Sequence, residues 1–441
     1  MNATAAHDAG VKAARPGRWT FPADAPVDLV PAHRLGRVAD LGPVKRKFNA
    51  AMVNSFVEHM NLGDELAYQA FRDLMPLKGA GKKMFSDALE HGIDSVEHPP
   101  ESLAALFREV DTVPAWVNWD QLHRGAVAVW RAGRLVPICL AYSSVGFGFS
   151  SYGGTKALNF TRLLVDTDRA GTRLSETLRW FAAVTTPGGM KRGNSGFKYS
   201  MRVRLVHCAV RFGVSKSPQW KWNEWGLPIT NTDLFFTTSK VFCANLVDAV
   251  ERLGIRYSQQ EKDDIFALWR YVAYVMGVPD ELNHVDMKDS LIKNDIVLAV
   301  ERAPDEACQV LLHSLIGFTS KESGGYQALP TWLTRRLSEQ TKKQLAYGLL
   351  RVLVNDQFCE EMAVPDSPFK HVVRVVALLN GFKERVLRAA PHDDERAVQS
   401  ILDDIGNALR VEDEAAIASS EEVQHALGTK SPKLTTSSLH S

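Results

Sequence analysis

The sequence predicts an all-α protein with a single large helical core. Apolar residues recur at three- and four-residue spacing along most of the chain, which is typical of amphipathic helices. Convincing alternating strands are absent, which disfavours an α/β nucleotide-binding architecture. The 441 residues, of which 45% are hydrophobic and 23% charged, are ample to bury a core and a cofactor.

Twelve helices follow from this periodicity. They are expected at residues 44–60, 66–75, 101–110, 119–132, 172–184, 197–212, 233–253, 261–276, 290–300, 337–353, 371–387 and 396–409. Asp64 is placed to begin one helix, while Pro187-Gly188-Gly189 and Gly277-Val278-Pro279 are placed to end two others.

No linker long enough to separate two cores interrupts the middle of the chain. We therefore predict one helical domain over residues 21–427, with a disordered leader at 1–20 and a disordered tail at 428–441.

Charge and cysteine content exclude several classes of protein. Lys and Arg total 52 against 51 for Asp and Glu, so no basic field is expected to attract nucleic acid or an anionic membrane. The most apolar window, residues 135–149, contains Pro137 and Gly146 and is shorter than the roughly 20 residues that span a bilayer, so no transmembrane segment is expected. The five cysteines are dispersed, which predicts buried thiols and a cytoplasmic location.

The stretch from Lys198 to Arg211 is the most informative part of the sequence. On a helix, Arg204, His207 and Arg211 lie along one face among apolar residues, so the helix should be buried. Two buried arginines need anions nearby, and haem propionates would supply them while the neutral imidazole binds iron. A core histidine beside structural ion pairs explains the same spacing.

A helical hairpin joins this segment to Arg173-Leu-Ser-Glu-Thr177, which lies upstream of the Pro187-Gly188-Gly189 break. Together with Trp269-Arg270-Tyr271, these segments resemble the family of latex-clearing proteins (rubber oxygenases) and MpaB-type oxygenases. The resemblance implies a globin-like helical core with additional helices around a buried b-type haem. It also implies that His207 is the proximal iron ligand, and that the haem is held by Arg173, Thr177, Arg204 and Arg211.

By the same resemblance the chain is a haem-dependent oxygenase that uses dioxygen on an apolar small molecule, with oxidative cleavage of a C=C bond to carbonyl products as the reaction. Two positions depart from the family. Glu176 stands where the family carries a lysine able to cap the iron, and Ala157 stands where it carries a glutamate proposed as a base. No distal lysine cap is therefore expected, and rubber itself is disfavoured as the substrate.

Glu176 has two interpretations: a distal acid or base that steers protons, which makes it the candidate catalytic residue, or a solvated partner of Arg173 and Arg179. Lys156 is interpreted as a loop charge. The three tryptophans between Gln219 and Gly226 either stack on an apolar ligand or anchor a long connection to the core.

Other functions remain open from sequence alone. Helical bundles with Glu-x-x-His pairs can bind two irons, and the chain contains Glu281-x-x-His284 and Glu422-x-x-His425. A haem-based oxygen or redox sensor and a helical scaffold without haem are also compatible with the pattern. The sequence does not indicate the oligomeric state.

Overall fold

A computed structural model describes residues 30–160, 167–321, 337–388 and 394–408, and side chains within these ranges except at 167–175, 394–395 and 404–408. Helices dominate the described residues, where the only β-type pairing is an isolated bridge between Val38 and Glu301. The predicted all-α class is confirmed. The first nine helices are α1 Leu41–Lys47, α2 Ala50–Glu58, α3 Glu65–Leu74, α4 Gly79–His91, α5 Glu101–Asp111, α6 Trp119–Arg131, α7 Leu135–Gly148, α8 Tyr152–Phe160 and α9 Thr167–Thr185.

Nine further helices of more than four residues follow in the described residues. Helix α11 spans residues 231–252 as Asn231–Phe235, the π-helical Phe236–Ala244 and Asn245–Arg252, and α7 likewise contains a π-helical stretch at Leu140–Val145. The remaining helices are α10 Ser195–Ser215, α12 Gln259–Val275, α13 Met287–Val300, α14 Glu306–Lys321, α15 Glu339–Leu353, α16 Asp356–Glu361, α17 Phe369–Arg388 and α18 Asp394–Ala408.

Most predicted helices are confirmed to within a few residues, but the single helix expected at 44–60 is wrong. The chain leaves the helical conformation at Phe48, and the Asn49 side chain then accepts hydrogen bonds from the first amides of α2. Five helices were not predicted: α4, α7, α8, α14 and α16. Helix α7 has no polar face that periodicity could reveal, because it lies in the core.

The central helices α6 and α12 approach each other closely at Gly125. A Cβ atom at this position would overlap the backbone carbonyl of Asp264 in α12. Behind this contact an aromatic cluster joins α9, α11 and α12, with Trp269 stacked on Phe242 at 5.8 Å between ring centroids and edge-on to Trp180 at 5.9 Å. The buried hydrophobic residues of the described helices, including these, form one cluster.

No single described helix is long and apolar enough to cross a membrane. The α7–α8 pair meets the length and composition criteria only when taken together, across a bend of 97°. The leader and tail predicted at 1–20 and 428–441 lie outside the described residues.

The close approach at Gly125 predicts opposite effects for two glycine-to-alanine changes within helices. Gly125→Ala should lower the free energy of unfolding by about 1–3 kcal/mol, since the methyl group forces α6 and α12 apart. Gly213→Ala, in α10, meets open space and should raise it by about 0.5–1 kcal/mol. Chemical denaturation of both variants tests this, and an equal effect at the two sites would contradict the packing.

Candidate functional site

Helix α10 carries Arg204 and Arg211 on its buried face and His207 at the edge of that face. Arg204, Cys208 and Arg211 are buried, and a side of the helix centred about 100° away holds half-buried residues. Those half-buried residues recur at helical spacing and include one imidazole: Val203, Val206, His207 and Val210. His207 lies at the border between this valine stripe and the arginine face.

The α9–α10 hairpin is packed closely enough to define its register. A Cβ at Gly196 would overlap the carbonyl of Ala183, and one turn further along the Trp180 Nε1 donates to Ser200 Oγ at 3.1 Å. Counting from this contact, Glu176 and Arg204 each lie one turn further along their helices, and Arg173 and His207 each lie two turns further.

The structure confirms the predicted hairpin of α9 and α10, and by this count the Arg173–Thr177 segment corresponds to the Arg204–His207 segment. Glu176 and Thr177 are half-buried. The Arg173 side chain lies outside the described residues, so its predicted role stays a prediction.

Arg204 is neutralised within the protein. Its guanidinium forms a bidentate ion pair with Asp64, with the second contact from Nη2 to Oδ1 at 3.0 Å, and Nη2 also contacts Glu109 Oε1 at 3.2 Å. Nη1 donates to the Val275 carbonyl at 3.2 Å. Burial alone would lower the pKa of Arg204, but the two carboxylates outweigh burial and raise it, so the side chain is a permanent cation.

Arg211 is also held by the protein, chiefly by backbone oxygens. Its Nε donates to the Pro228 carbonyl at 3.0 Å and its Nη2 to the Ile229 carbonyl. Ile229 has a φ of 55°, a strained value for a β-branched residue. Arg211 thus fixes the loop that leads into α11, and it lies near enough to Asp64 to lower the pKa of that carboxyl further.

These contacts show that the expected need of the buried Arg204 for haem propionates does not hold. The buried Arg204 does not need propionates for charge compensation, because Asp64 and Glu109 supply the anions. The interpretation of Arg204 as part of a structural ion pair accounts for what the structure shows. Cofactor binding by Arg204, Arg211 and Thr177 stays a prediction.

Asp64 and Glu109 are the residues that sequence reasoning missed. Asp64 was recognised only as a helix start, and it does cap α3 by accepting from Ala67 N at 3.2 Å. Gly277 closes the same cluster from the end of α12: its φ is 86°, and a Cβ there would overlap Asp64 and Arg204. A helix-capping aspartate is common, so its second role as a counter-ion had no local signal.

The chemistry of His207 and its neighbours is compatible with a residue that would hold haem iron. A half-buried imidazole bordered by three valines offers a nitrogen donor beside an apolar surface, which is the donor chemistry of a proximal ligand. The described side chains supply no equally clear propionate partners, since the best candidates are engaged elsewhere. The fit therefore rests on His207 and the valine stripe.

The structure also places Lys156, Ala157 and the tryptophan loop, which the sequence analysis considered. Lys156 is not a loop charge: it is buried in α8, where it pairs with Asp305 at 2.5 Å and lies 4.0 Å from the centre of the Tyr152 ring. Ala157 is buried in the same helix. In the tryptophan loop Trp220 is buried and donates to the Gly226 carbonyl at 2.9 Å, which agrees with a loop anchored to the core.

The Glu281-x-x-His284 pair does not converge on one point. Glu281 contacts His59, whereas His284 Nε2 lies 2.9 Å from the Phe266 carbonyl and burial lowers the His284 pKa to about 4. Among the described residues no three His, Cys, Asp or Glu side chains are grouped for metal binding. Glu422 and His425 lie outside those residues. The five cysteines are all buried, as predicted.

Fold and site together define an all-helical protein with one imidazole at the edge of a half-buried apolar stripe. Residues 162–384 match the catalytic domain of the family described as ER-bound oxygenase mpaB/B′/rubber oxygenase. The match covers half of the chain, and the protein belongs to this family.

Two relatives support this assignment. The rubber oxygenase of Streptomyces sp. (strain K30) is 22% identical over 187 residues, which are 41% of this chain and 44% of the relative, so less than half of that protein is matched. The structure of latex clearing protein in the closed state superposes with a TM-score of 0.55 at 16% identity, covering 78% of this chain and 91% of the other. The second likeness shows a shared fold.

The buried ion pair predicts that Asp64→Asn is strongly destabilising. Asparagine still caps a helix, so the loss isolates the carboxylate charge. Removing the bidentate partner of the buried Arg204, which keeps only Glu109 as an anion, should cost up to about 3–5 kcal/mol in the free energy of unfolding. The matched control is Asp248→Asn, which removes the exposed partner of Arg252 and should cost about 1 kcal/mol or less. Equal losses of unfolding free energy for the two variants in urea denaturation would contradict a special role for the buried Asp64–Arg204 ion pair.

The same pair should make stability depend on pH. Burial raises the pKa of Asp64, but Arg204 outweighs it and the pKa lies below the ordinary 3.8. A carboxyl with a lowered folded pKa stabilises fully above 3.8 and loses that contribution as the pH falls through the folded value. The stability difference between wild type and Asp64→Asn should therefore be constant near neutrality and shrink below pH 3.8.

Proposed function

We propose that this protein is a haem b-dependent oxygenase that acts on an apolar small molecule with dioxygen, and that His207 is its iron ligand. The observation that supports this most directly is the imidazole at the border of the Val203, Val206 and Val210 stripe. Membership of an oxygenase family supplies the reaction class. Haem, when bound, would supply the one-electron and dioxygen chemistry that side chains lack.

The chain's own contribution is to bind, orient and exclude water. His207 would hold the cofactor through a neutral nitrogen, and the valine stripe would cover an apolar macrocycle edge. Arg204 acts as a positioning residue, because its ion pair with Asp64 holds α10 at one rotation about its axis. Rotation of α10 by one residue would move His207 by about 100°.

Glu176 is the residue we propose for proton handling on the opposite helix. Its backbone is one turn from the level of His207, and it is half-buried rather than fully solvated. The buried methyl of Ala157 offers no base, so the cleavage of a C=C bond would have to proceed without the glutamate that the resemblance associates with that position. Rubber is accordingly not the substrate we propose.

Replacing His207 tests the assignment of the iron ligand. His207→Gly should purify without a Soret band, and added imidazole should restore haem binding by filling the space that the side chain leaves. The matched control is His33→Gly at an exposed surface position, which should retain full haem content.

Two results would overturn the assignment. Full haem occupancy in His207→Gly without imidazole would show that another residue binds iron. Wild-type protein that takes up no haem on reconstitution would remove the haem-dependent function altogether. Haem binding without turnover of any apolar alkene would leave the family's oxygenase chemistry unsupported for this chain and favour a sensor.

Glu176 predicts an iron site that small ligands can enter. A carboxylate would compete poorly for ferrous iron, so the reduced, haem-loaded protein should bind carbon monoxide promptly. Glu176→Lys should slow carbon monoxide binding because an amine can cap the iron, whereas Glu176→Gln should leave the rate unchanged within about twofold. Identical rates in the Lys and Gln variants would place residue 176 away from the iron.

A further inference from the structure

Helix α17 presents a long apolar stripe to the outside of the protein. Leu378 is 75% and Phe382 is 70% exposed, and the stripe continues at three- and four-residue spacing along the whole helix. We call it the α17 outer face, and it consists of Val372, Val375, Leu378, Leu379, Phe382 and Val386. Contiguous apolar surfaces of this size mark interaction sites, because water-exposed apolar area is unfavourable.

The helix is firmly attached by its opposite side. A Cβ at Gly254 would overlap the Ala377 carbonyl, and one at Gly348 would lie 2.7 Å from the Lys370 nitrogen, so backbones approach closely at both places. Asn380 Nδ2 donates to the Leu253 carbonyl at 3.1 Å. Rotating α17 to bury its outer face would break these contacts. The α17 outer face therefore stays exposed as long as the helix is packed in this way.

The charges on α17 are strongly unbalanced. The helix carries five basic residues, Lys370, Arg374, Lys383, Arg385 and Arg388, and one acid, Glu384. Glu384 is buried and paired with Arg131 and Arg388, so it does not offset the outer charges.

Three of these cations flank the α17 outer face. Arg374 and Arg385, three helical turns apart, border it on one side, and Lys383 borders it on the other. None of the three forms an ion pair within the part of the chain that the structure describes, and all are exposed.

We propose that the α17 outer face docks on an anionic lipid membrane surface, with its apolar residues inserted at the headgroup level and its cations on lipid headgroups. An amphipathic helix of low mean hydropathy, with Leu, Val and Phe on one side and Lys and Arg beside them, has the composition of an interfacial helix. A second copy of the chain is a poorer partner, because stacking two such faces would juxtapose cations of like sign.

This surface does not depend on the proposed haem chemistry, since none of its residues belongs to the His207 segment. The proposal departs from the expectation drawn from the near-zero total charge. The cations of α17 are balanced by acids elsewhere in the chain, so the whole-chain sum conceals a local basic surface.

Flotation of the full-length protein with vesicles tests the proposal. We expect binding to phosphatidylcholine vesicles that contain phosphatidylserine, weakened by added salt. Leu378→Gln/Phe382→Gln should abolish it. Arg374→Gln/Arg385→Gln should lower the partition coefficient by about 25-fold, since each cation near such a surface contributes roughly fivefold.

The matched control is Leu291→Gln/Ile292→Gln, which removes two apolar residues of α13 with 45% and 41% exposure and should bind vesicles like wild type. Wild-type protein that does not float with anionic vesicles overturns the proposal. A dimer that Leu378→Gln/Phe382→Gln converts to monomer would assign the face to a second copy. Hydrogen-exchange protection of residues 409–441 that the same variant abolishes would assign it to the chain's own C-terminal segment.

Discussion

The ion pair between Asp64 and Arg204 is the constraint on which the candidate site depends. Both groups are buried, so each requires the other, and separating them leaves a charge in a medium of low polarity. Around the pair converge the start of α3, the carboxylate of Glu109 from α5 and the Val275 carbonyl at the end of α12. Gly277 allows this convergence because glycine has no Cβ atom, and a Cβ at this position would overlap the side chains of Asp64 and Arg204.

The pair also explains how one helix can serve both stability and function. The arginine face of α10 is buried in the protein interior. The valine stripe and His207 lie on the neighbouring side of the helix, which is half-buried. The two faces are rigidly related, because side chains on a helix turn together by about 100° per residue. A change at Asp64 would therefore reach His207 through the rotation of α10, without contact between the two side chains.

The α17 outer face illustrates the same separation on the surface of the molecule. Gly254 and Gly348 pack closely against only a narrow strip of the α17 backbone. The rest of the helix surface faces outward and carries apolar and basic residues. Because buried Glu384 is already paired internally, it cannot neutralise the exposed cations. A membrane-docking surface can thus occur on a chain whose total charge is close to zero.

Local pattern in the sequence determined the all-α class, the α9–α10 hairpin and the prominence of His207, because helical spacing and helix-ending residues are encoded within one or two turns. The resemblance carried by Arg173, Thr177, Arg204 and His207 led to the family. Only the tertiary structure decided which anions neutralise Arg204, since Asp64 and Glu109 are 140 and 95 residues away. It also decided that Lys156 is buried and that α17 is exposed: an amphipathic helix has the same periodicity whichever way it faces, and only its neighbours determine which side meets solvent.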